Sequence, residues 1–353
     1  MNFISSGNQV SAPLSYNSKL EVQHRLIAVW ALAEGFLGGI LHGLHLPVTG
    51  LVVGSVSVCC LTLLSRVTEQ RGDLLKATLL VLLVKAMLSP HSPPMAYFAV
   101  FSQGLVAQLL FGLSRHYKLN CFLLAVLTQL QSAIQHIVVV VVVFGLDLWQ
   151  ALDQYLNKIT GNLGLTGVPF ALYLAGGYVL LHLLAGIYVG WFAGKLPEWL
   201  NQRAAKLKTL GFPAEKVSLE VPELKPKQPK KRRFSVSFLV VWFLLAAVFL
   251  QSYFGLGPAI LPKAKAIQII VRSVLIVSVW YFVISPFLMD YFHKWLSRQK
   301  GALQTQLLAV QTLLPHMQVL IKNSWQRSAA LKGFSRLRFF VADAGTRLFA
   351  VPE

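Results

Sequence analysis

The run LNCFLLAVLTQLQSAIQHIVVVVVVFG, residues 119–145, decides how the rest of the chain is read. About 17–25 mostly apolar residues suffice for a helix to cross hydrocarbon, and this run is long enough. Its middle nevertheless carries Thr128, Gln129, Gln131, Ser132, Gln135 and His136 on about half of the helix circumference. Hydrogen bonding to a neighbouring helix uses one or two such groups. The larger set points to a water-lined pocket reaching from mid-membrane toward one surface. Gln103 and Gln108 of the preceding apolar run are further candidates, although their spacing does not place them on one face.

Similar apolar runs lie at roughly 26–44, 48–65, 74–90, 95–113, 166–192, 236–258 and 266–289. The composition agrees: 353 residues, 55% hydrophobic and only 13% charged, with a net charge of +19 and a mean hydropathy of +0.60. Disorder is excluded, and a water-soluble domain could not hide this much apolar surface. The basic excess reads as cytoplasmic flanks on anionic lipid, not as a nucleic-acid footprint. The expected fold is an all-α polytopic membrane protein, a six-helix bundle with two further transmembrane helices and cytoplasmic helices. A polar segment, 1–24, shows no signal-peptide pattern and precedes the bundle at 25–194. A basic linker, 195–233, contains Pro213, Pro222, Pro226, Pro229 and the run Lys230-Lys231-Arg232-Arg233. Two spans at 234–291 and basic helices at 292–353 complete the chain.

Lys and Arg resist translocation, so their positions set the orientation. Arg66, Arg71, Lys76, Arg115 and Lys118 follow the second and fourth spans, and the linker and tail are strongly basic. The turns 45–48 and 89–95 contain no charged residue. The expectation is eight crossings with both termini cytoplasmic. Lys263 and Lys265 fall on the outer side and are the discordant detail. Between the fifth and sixth spans, Leu148, Trp149, Leu152, Tyr155, Leu156 and Ile159 recur at helical spacing, which predicts an amphipathic helix on the outer face.

Several side chains stand out against the apolar background. Glu34 and Lys85 are the charged residues deep inside the first six runs, and their depths differ by only about 5 Å. A lone charge at mid-bilayer costs at least ~2.5–3.5 kcal/mol, so they either pair to fix helix register or form two poles of a ligand site. Ala31, Gly35, Gly39 and Gly43 make a small-residue ladder, and Gly186, Gly190 and Gly194 repeat it. Such a face serves packing within the bundle or docking of a separate helix. His42, His45 and His91 lie near one surface beside Pro47 and the segment Ser89-Pro90-His91-Ser92-Pro93-Pro94. No acidic companion or i, i+4 pair makes them metal ligands, and they read as a polar gate. Cys59, Cys60 and Cys121 show no metal or disulfide spacing, and no phosphate loop or hydrolase motif occurs, so no cofactor is expected.

Residues 20–195 resemble the substrate-binding subunit of energy-coupling-factor importers: six crossings, the small-residue first span, and the turn Leu46-Pro47-Val48-Thr49-Gly50-Leu51. The C-terminal part resembles the second half of that family's coupling subunit. A span ends in Val283-Ile284-Ser285-Pro286-Phe287-Leu288, and a later helix has Pro315 near its start and Ala330, Lys332 and Gly333 at its end. Lys332-Gly333 stands where the family carries Arg-Gly.

The resemblance implies a prokaryotic inner membrane, docking of the ladder on helices within 303–335, and separate P-loop ATPase subunits at the cytoplasmic helices. The leading expectation is a non-enzymatic component of a vitamin- or micronutrient-type importer, binding its small-molecule solute through Glu34, Lys85, Gln103, Gln131, Gln135, His136 and His91. The alternative is a non-transporting scaffold whose basic linker and tail recruit a cytoplasmic partner or membrane lipid. A third reading is a lipid-modifying enzyme.

Overall fold

Helix follows helix here because long apolar runs are interrupted by glycine, proline and serine at positions where the backbone must turn. The computed structural model describes residues 16–43, 48–68, 70, 72–89, 92, 94–161, 167–209, 263–279, 284, 286, 287, 291, 294 and 302–349. Among these, no strand occurs. Helix α1 (Tyr16–Leu32) continues through a π-helical turn (Ala33–Leu37) into α2 (Gly38–Gly43). Next come α3 (Thr49–Val67), α4 (Asp73–Leu88), α5 (Pro94–Leu113) and α6 (Tyr117–Phe144). The series ends with α7 (Leu146–Thr160), α8 (Phe170–Thr209), α9 (Lys263–Val279), α10 (Ala302–Arg327) and α11 (Gly333–Phe349). Gly145, at φ 81°, stops the valine run of α6 in a conformation that side-chain-bearing residues resist. The amphipathic segment expected at 148–159 is α7. Its Asn157 side chain bonds both the N–H and the C=O of Val168, at 2.9 and 2.8 Å, tying α7 to the entry of α8.

Five described helices are long and apolar enough to cross a membrane: Lys19–Leu41, Thr49–Val67, Met95–Leu113, Tyr117–Val142 and Phe170–Arg203. The third expected span corresponds to α4, which is shorter at 16 residues. Every residue of α4 from Leu80 to Ala86 is buried, the mark of a helix enclosed on all sides by others. The expected span 236–258 lies outside the described residues, and the last is represented by α9.

Phe98, Phe101, Leu105 and Leu109 on α5 project outward at helical spacing, as do Ile134, Val138 and Val142 on α6 and Leu180, Leu184, Ile187 and Trp191 on α8. Facing water, such a belt would be far larger than a monomer tolerates; facing acyl chains, it is the ordinary solvent side.

Inside, Val22, Leu26, Trp30, Val58, Leu61, Leu64, Leu80 and Val84 form the core of α1, α3 and α4. Helix α10 lies against α1 and α4 and adds Leu307, Val310, Met317 and Leu320 to that core. Gln311 donates to Met87 Sδ near the C-terminal end of α4.

The glycines of α8 let it approach α6. A Cβ on Gly190 would stand 2.8 Å from Phe122 Cα, and one on Gly186 3.0 Å from Val126 Cα, both backbone atoms that cannot step aside. Gly176 of the same helix has open space around it. Gly190→Leu is therefore expected to cost about 1–3 kcal/mol through overpacking. Gly176→Leu should stay within about 0.5 kcal/mol of the parent. Thermal unfolding in detergent micelles compares them, and equal midpoints for the two variants would contradict the α6–α8 contact.

Candidate functional site

The polar groups of the bundle fall into two neighbouring networks that share α3 and the first turn of α5. The first is centred on the π turn of α1. That turn closes with Gly38 N–H bonding Ala33 O, a five-residue step that adds one residue to the helix, and Glu34 lies within it. Glu34 Oε2 accepts from Lys85 Nζ at 2.7 Å, and its Oε1 accepts from Ser57 Oγ at 2.7 Å. Lys85 also reaches Ala96 O at 3.3 Å, and Trp30 Nε1 donates to Ser57 Oγ at 3.0 Å. Both members of the ion pair are 5% exposed. Each carboxylate oxygen thus has a donor, and the ammonium has two acceptors.

The second network is the polar face of α6. Gln129, fully buried, donates through Nε2 to Leu51 O and to Ser55 Oγ, each at 3.0 Å. Its Oε1 lies 3.1 Å from His182 Nδ1 on α8. Gln135 Nε2 donates to Met95 O at 2.7 Å, and Gln131 donates to Ser102 Oγ. Gly54 is the meeting point on α3: a Cβ there would lie 3.6 Å from Thr128 Cγ2, 3.7 Å from Gln129 Nε2 and 3.9 Å from Gln103 Nε2. The helices converge here because α3 presents hydrogen only.

Satisfaction is uneven between the two networks. Among the described residues of the second network, Gln103 Oε1, Thr128 Oγ1, Gln135 Oε1 and His182 Nε2 are buried without any hydrogen-bond partner; Trp149 Nε1, His316 Nε2, Ser324 Oγ and Asp343 Oδ2, on α7, α10 and α11, are in the same state. An unsatisfied buried polar group costs about 1–3 kcal/mol, and hydrocarbon supplies no water to repair it. Gln103, Thr128 and His182 lie around Gly54 and Gln129, where α3, α5, α6 and α8 meet, and Gln135 lies two turns further along α6 against the first turn of α5; together they give this junction its chemical character, uncharged and rich in acceptors.

The residues expected from sequence are distributed as follows. Glu34 and Lys85 meet each other, while Gln103, Gln131 and Gln135 belong to the α5–α6 part of the second network. His136 is exposed at the edge of that network, its ring 5.5 Å from that of Tyr178, which in turn lies 4.6 Å from the His182 ring at a tilt of 58°. His91 and His45 lie outside the described residues. Ala31 is buried, Gly35 faces Leu88 and Gly39 faces Ser89, so within the chain this side of the helix is occupied by the end of α4. Gly43 ends α2. Pro315 lies inside α10, Ala330 in the short turn after it, and Lys332 is exposed beside Gly333, which opens α11 at φ 57°. Sequence reasoning missed Trp30, Ser57, Gly54, Tyr178 and His182. An imidazole inside an apolar run was the available signal for the last.

Two clefts open beside the N-terminal end of α4. One, of about 110 Å³, is lined by Lys19, Gln23, His24, Asp73, Lys76 and Gln306. The other, of about 170 Å³, is lined by Ser65, Thr68, Gln70 and Gln108. Both are smaller than the ~300 Å³ at which pockets for drug-sized ligands begin. No group of three His, Cys, Asp or Glu side chains suited to a metal occurs among the described residues. Comparison of the chain with protein-family models, with curated proteins and with solved structures finds no match.

Removing one partner of the ion pair strands the other charge. Lys85→Met is expected to cost about 3–5 kcal/mol, whereas Glu34→Leu combined with Lys85→Met recovers most of that loss. Unfolding of the three proteins in the same detergent tests this, and a double variant no more stable than the single one would show that the two charges do not neutralise each other.

Proposed function

We propose that this protein is the membrane component of a small-molecule importer, with its solute site at the junction of α3, α5, α6 and α8. The observation that carries the reading is the group of buried polar atoms without partners on α5, α6 and α8, Gln103 Oε1, Thr128 Oγ1, Gln135 Oε1 and His182 Nε2. A bundle that only anchors something has no use for them, because apolar side chains of the same shape remove the penalty. A bundle that takes up a polar solute needs them unsatisfied until the solute arrives. The Glu34–Lys85 pair acts as a fixed wall beside the site, holding α4 and α5 to α1 and α3.

The reading includes eight crossings of a prokaryotic inner membrane with both termini cytoplasmic, supported by the basic residues flanking the second and fourth runs and filling the linker and tail. It also takes the energy-coupling-factor resemblance as a guide to mechanism. Helices α10 and α11 then stand between the solute-binding bundle and separate ATPase subunits, and the chain itself carries no catalytic role. A second reading is favoured by the full satisfaction of the ion pair and by the exposed Phe334, Leu337, Arg338 and Lys332 around α11. On that reading the protein is a scaffold that rests its basic, aromatic tail on anionic lipid or a cytoplasmic partner.

Mass spectrometry of small molecules released from the purified full-length chain separates the two. The importer reading expects a solute that accompanies the parent protein and falls roughly tenfold in Gln103→Leu and in His182→Phe. Recovery of lipid and detergent alone, with both variants more stable than the parent, would leave the scaffold.

A further inference from the structure

The hydrogen bonds around the unsatisfied atoms fix which kind of group Gln135 and His182 present. Leu51 O can only accept, so the Gln129 atom facing it is the amide nitrogen, and the atom facing His182 Nδ1 is the amide oxygen. That oxygen only accepts, so the proton of the neutral imidazole is on Nδ1, and Nε2 presents a bare lone pair. Met95 O orients Gln135 in the same way, which leaves its buried Oε1 as an acceptor. Gln103 Oε1 is a third acceptor, and the Thr128 hydroxyl both donates and accepts.

Gln103, Thr128, Gln129 and His182 are 5%, 2%, 0% and 0% exposed. Asp, Glu, Lys and Arg are absent from α5, occur in α3 and α6 only as Arg66 and Lys118 near an end, and begin in α8 at Lys195, 13 residues beyond His182. Glu34 and Lys85, in the adjoining network, neutralise each other at 2.7 Å.

Resting on the reading of this junction as a solute site, we infer that its solute is a small uncharged molecule that donates hydrogen bonds through several N–H or O–H groups. The acceptors of Gln103, Thr128 and His182, on side chains gathered around Gly54 and Gln129, require donors. The absence of a counter-charge within the described junction disfavours an ion, since a cation or anion placed there would keep its full desolvation cost. A solute without donors would leave the acceptors as they are. The class is that of amides, ureas and polyols, not carboxylates or quaternary ammonium compounds.

Binding of radiolabelled urea and glycerol (neutral donors), methylammonium (a cation) and acetate (an anion) to the full chain in lipid nanodiscs tests this, with tetramethylurea as a donor-free competitor. Saturable retention of urea or glycerol is expected, unaffected by tetramethylurea and weakened roughly tenfold in Gln103→Leu and in Thr128→Val. Retention of methylammonium or acetate instead, or of neither neutral donor, overturns the inference. Should the variants fail to fold, nitrogen NMR of histidine-labelled parent protein supplies an independent reading. His182, assigned by its loss in His182→Phe, is expected to show a protonated Nδ1 and a bare Nε2 whose resonance moves on adding the retained probe. A protonated Nε2 overturns the inference. A charged molecule co-purifying with the protein would overturn it while leaving the importer reading intact, whereas absence of both a co-purifying solute and probe binding would remove the two together.

Discussion

Two opposite charges meet at 2.7 Å between Glu34 and Lys85, and four helical segments are held in register by the need to keep them together. Neither charge is tolerable alone in an apolar interior, and each has further partners. Glu34 lies in the π turn, Lys85 one turn before the end of α4, Ser57 in the middle of α3, and Ala96 in the first turn of α5. Sliding any one of these segments by a turn would break at least one bond to a buried charge. The pair therefore acts less as a source of net stability than as a constraint on which arrangement of apolar helices is adopted. Leu, Val and Phe can interdigitate in many ways, and two ions with directional partners cannot.

That constraint extends to the second network through α5. The carbonyls of Met95 and Ala96 are adjacent in sequence, and neighbouring carbonyls in a helix are rotated by about 100° around its axis. Ala96 O accordingly receives Lys85 from α4, while Met95 O receives Gln135 from α6. A carbonyl oxygen has two lone pairs, so these bonds do not require loss of the helical ladder. The charged pair and the amide-rich junction are thus coupled by one peptide unit. A rearrangement that opened the α5–α6 contact would be felt at Lys85, and the reverse also holds.

Much of this was legible in the chain. Apolar runs of spanning length revealed most helices, and polar residues within those runs revealed Glu34, Lys85 and the α6 face, because such residues are costly wherever hydrocarbon is the solvent. What a one-dimensional pattern lacks is the identity of the facing surface. The Gly186–Gly190 face was open between packing and docking until Phe122 and Val126 of α6 were seen to fill it. The shortness of α4 and its complete enclosure follow from neighbours that are distant in sequence. Leu307, Val310, Met317 and Leu320 have amphipathic spacing, yet nothing in that spacing says that their partner is α1. The π turn at Glu34 was illegible for a different reason: it has no residue signature and exists because the side chains around it demand that register.

The contrast between the two networks bears most on what the bundle is for. Both are buried and both lie among apolar helices, so the same desolvation applies to each. One is closed, with every oxygen of Glu34 and the nitrogen of Lys85 engaged. The other, one turn of α3 away, leaves acceptors bare on side chains of which Gln103 and Thr128 pack against Gly54. Trp149 Nε1, His316 Nε2, Ser324 Oγ and Asp343 Oδ2 are also buried without hydrogen-bond partners, on α7, α10 and α11, but at the junction Gln135 and His182 are held by bonds that dictate their orientation, and Gln103 and Thr128 by helices brought close at a glycine. Side chains oriented this firmly and left without partners lose little further freedom when a partner arrives, which is the condition under which a modest set of hydrogen bonds gives selective binding.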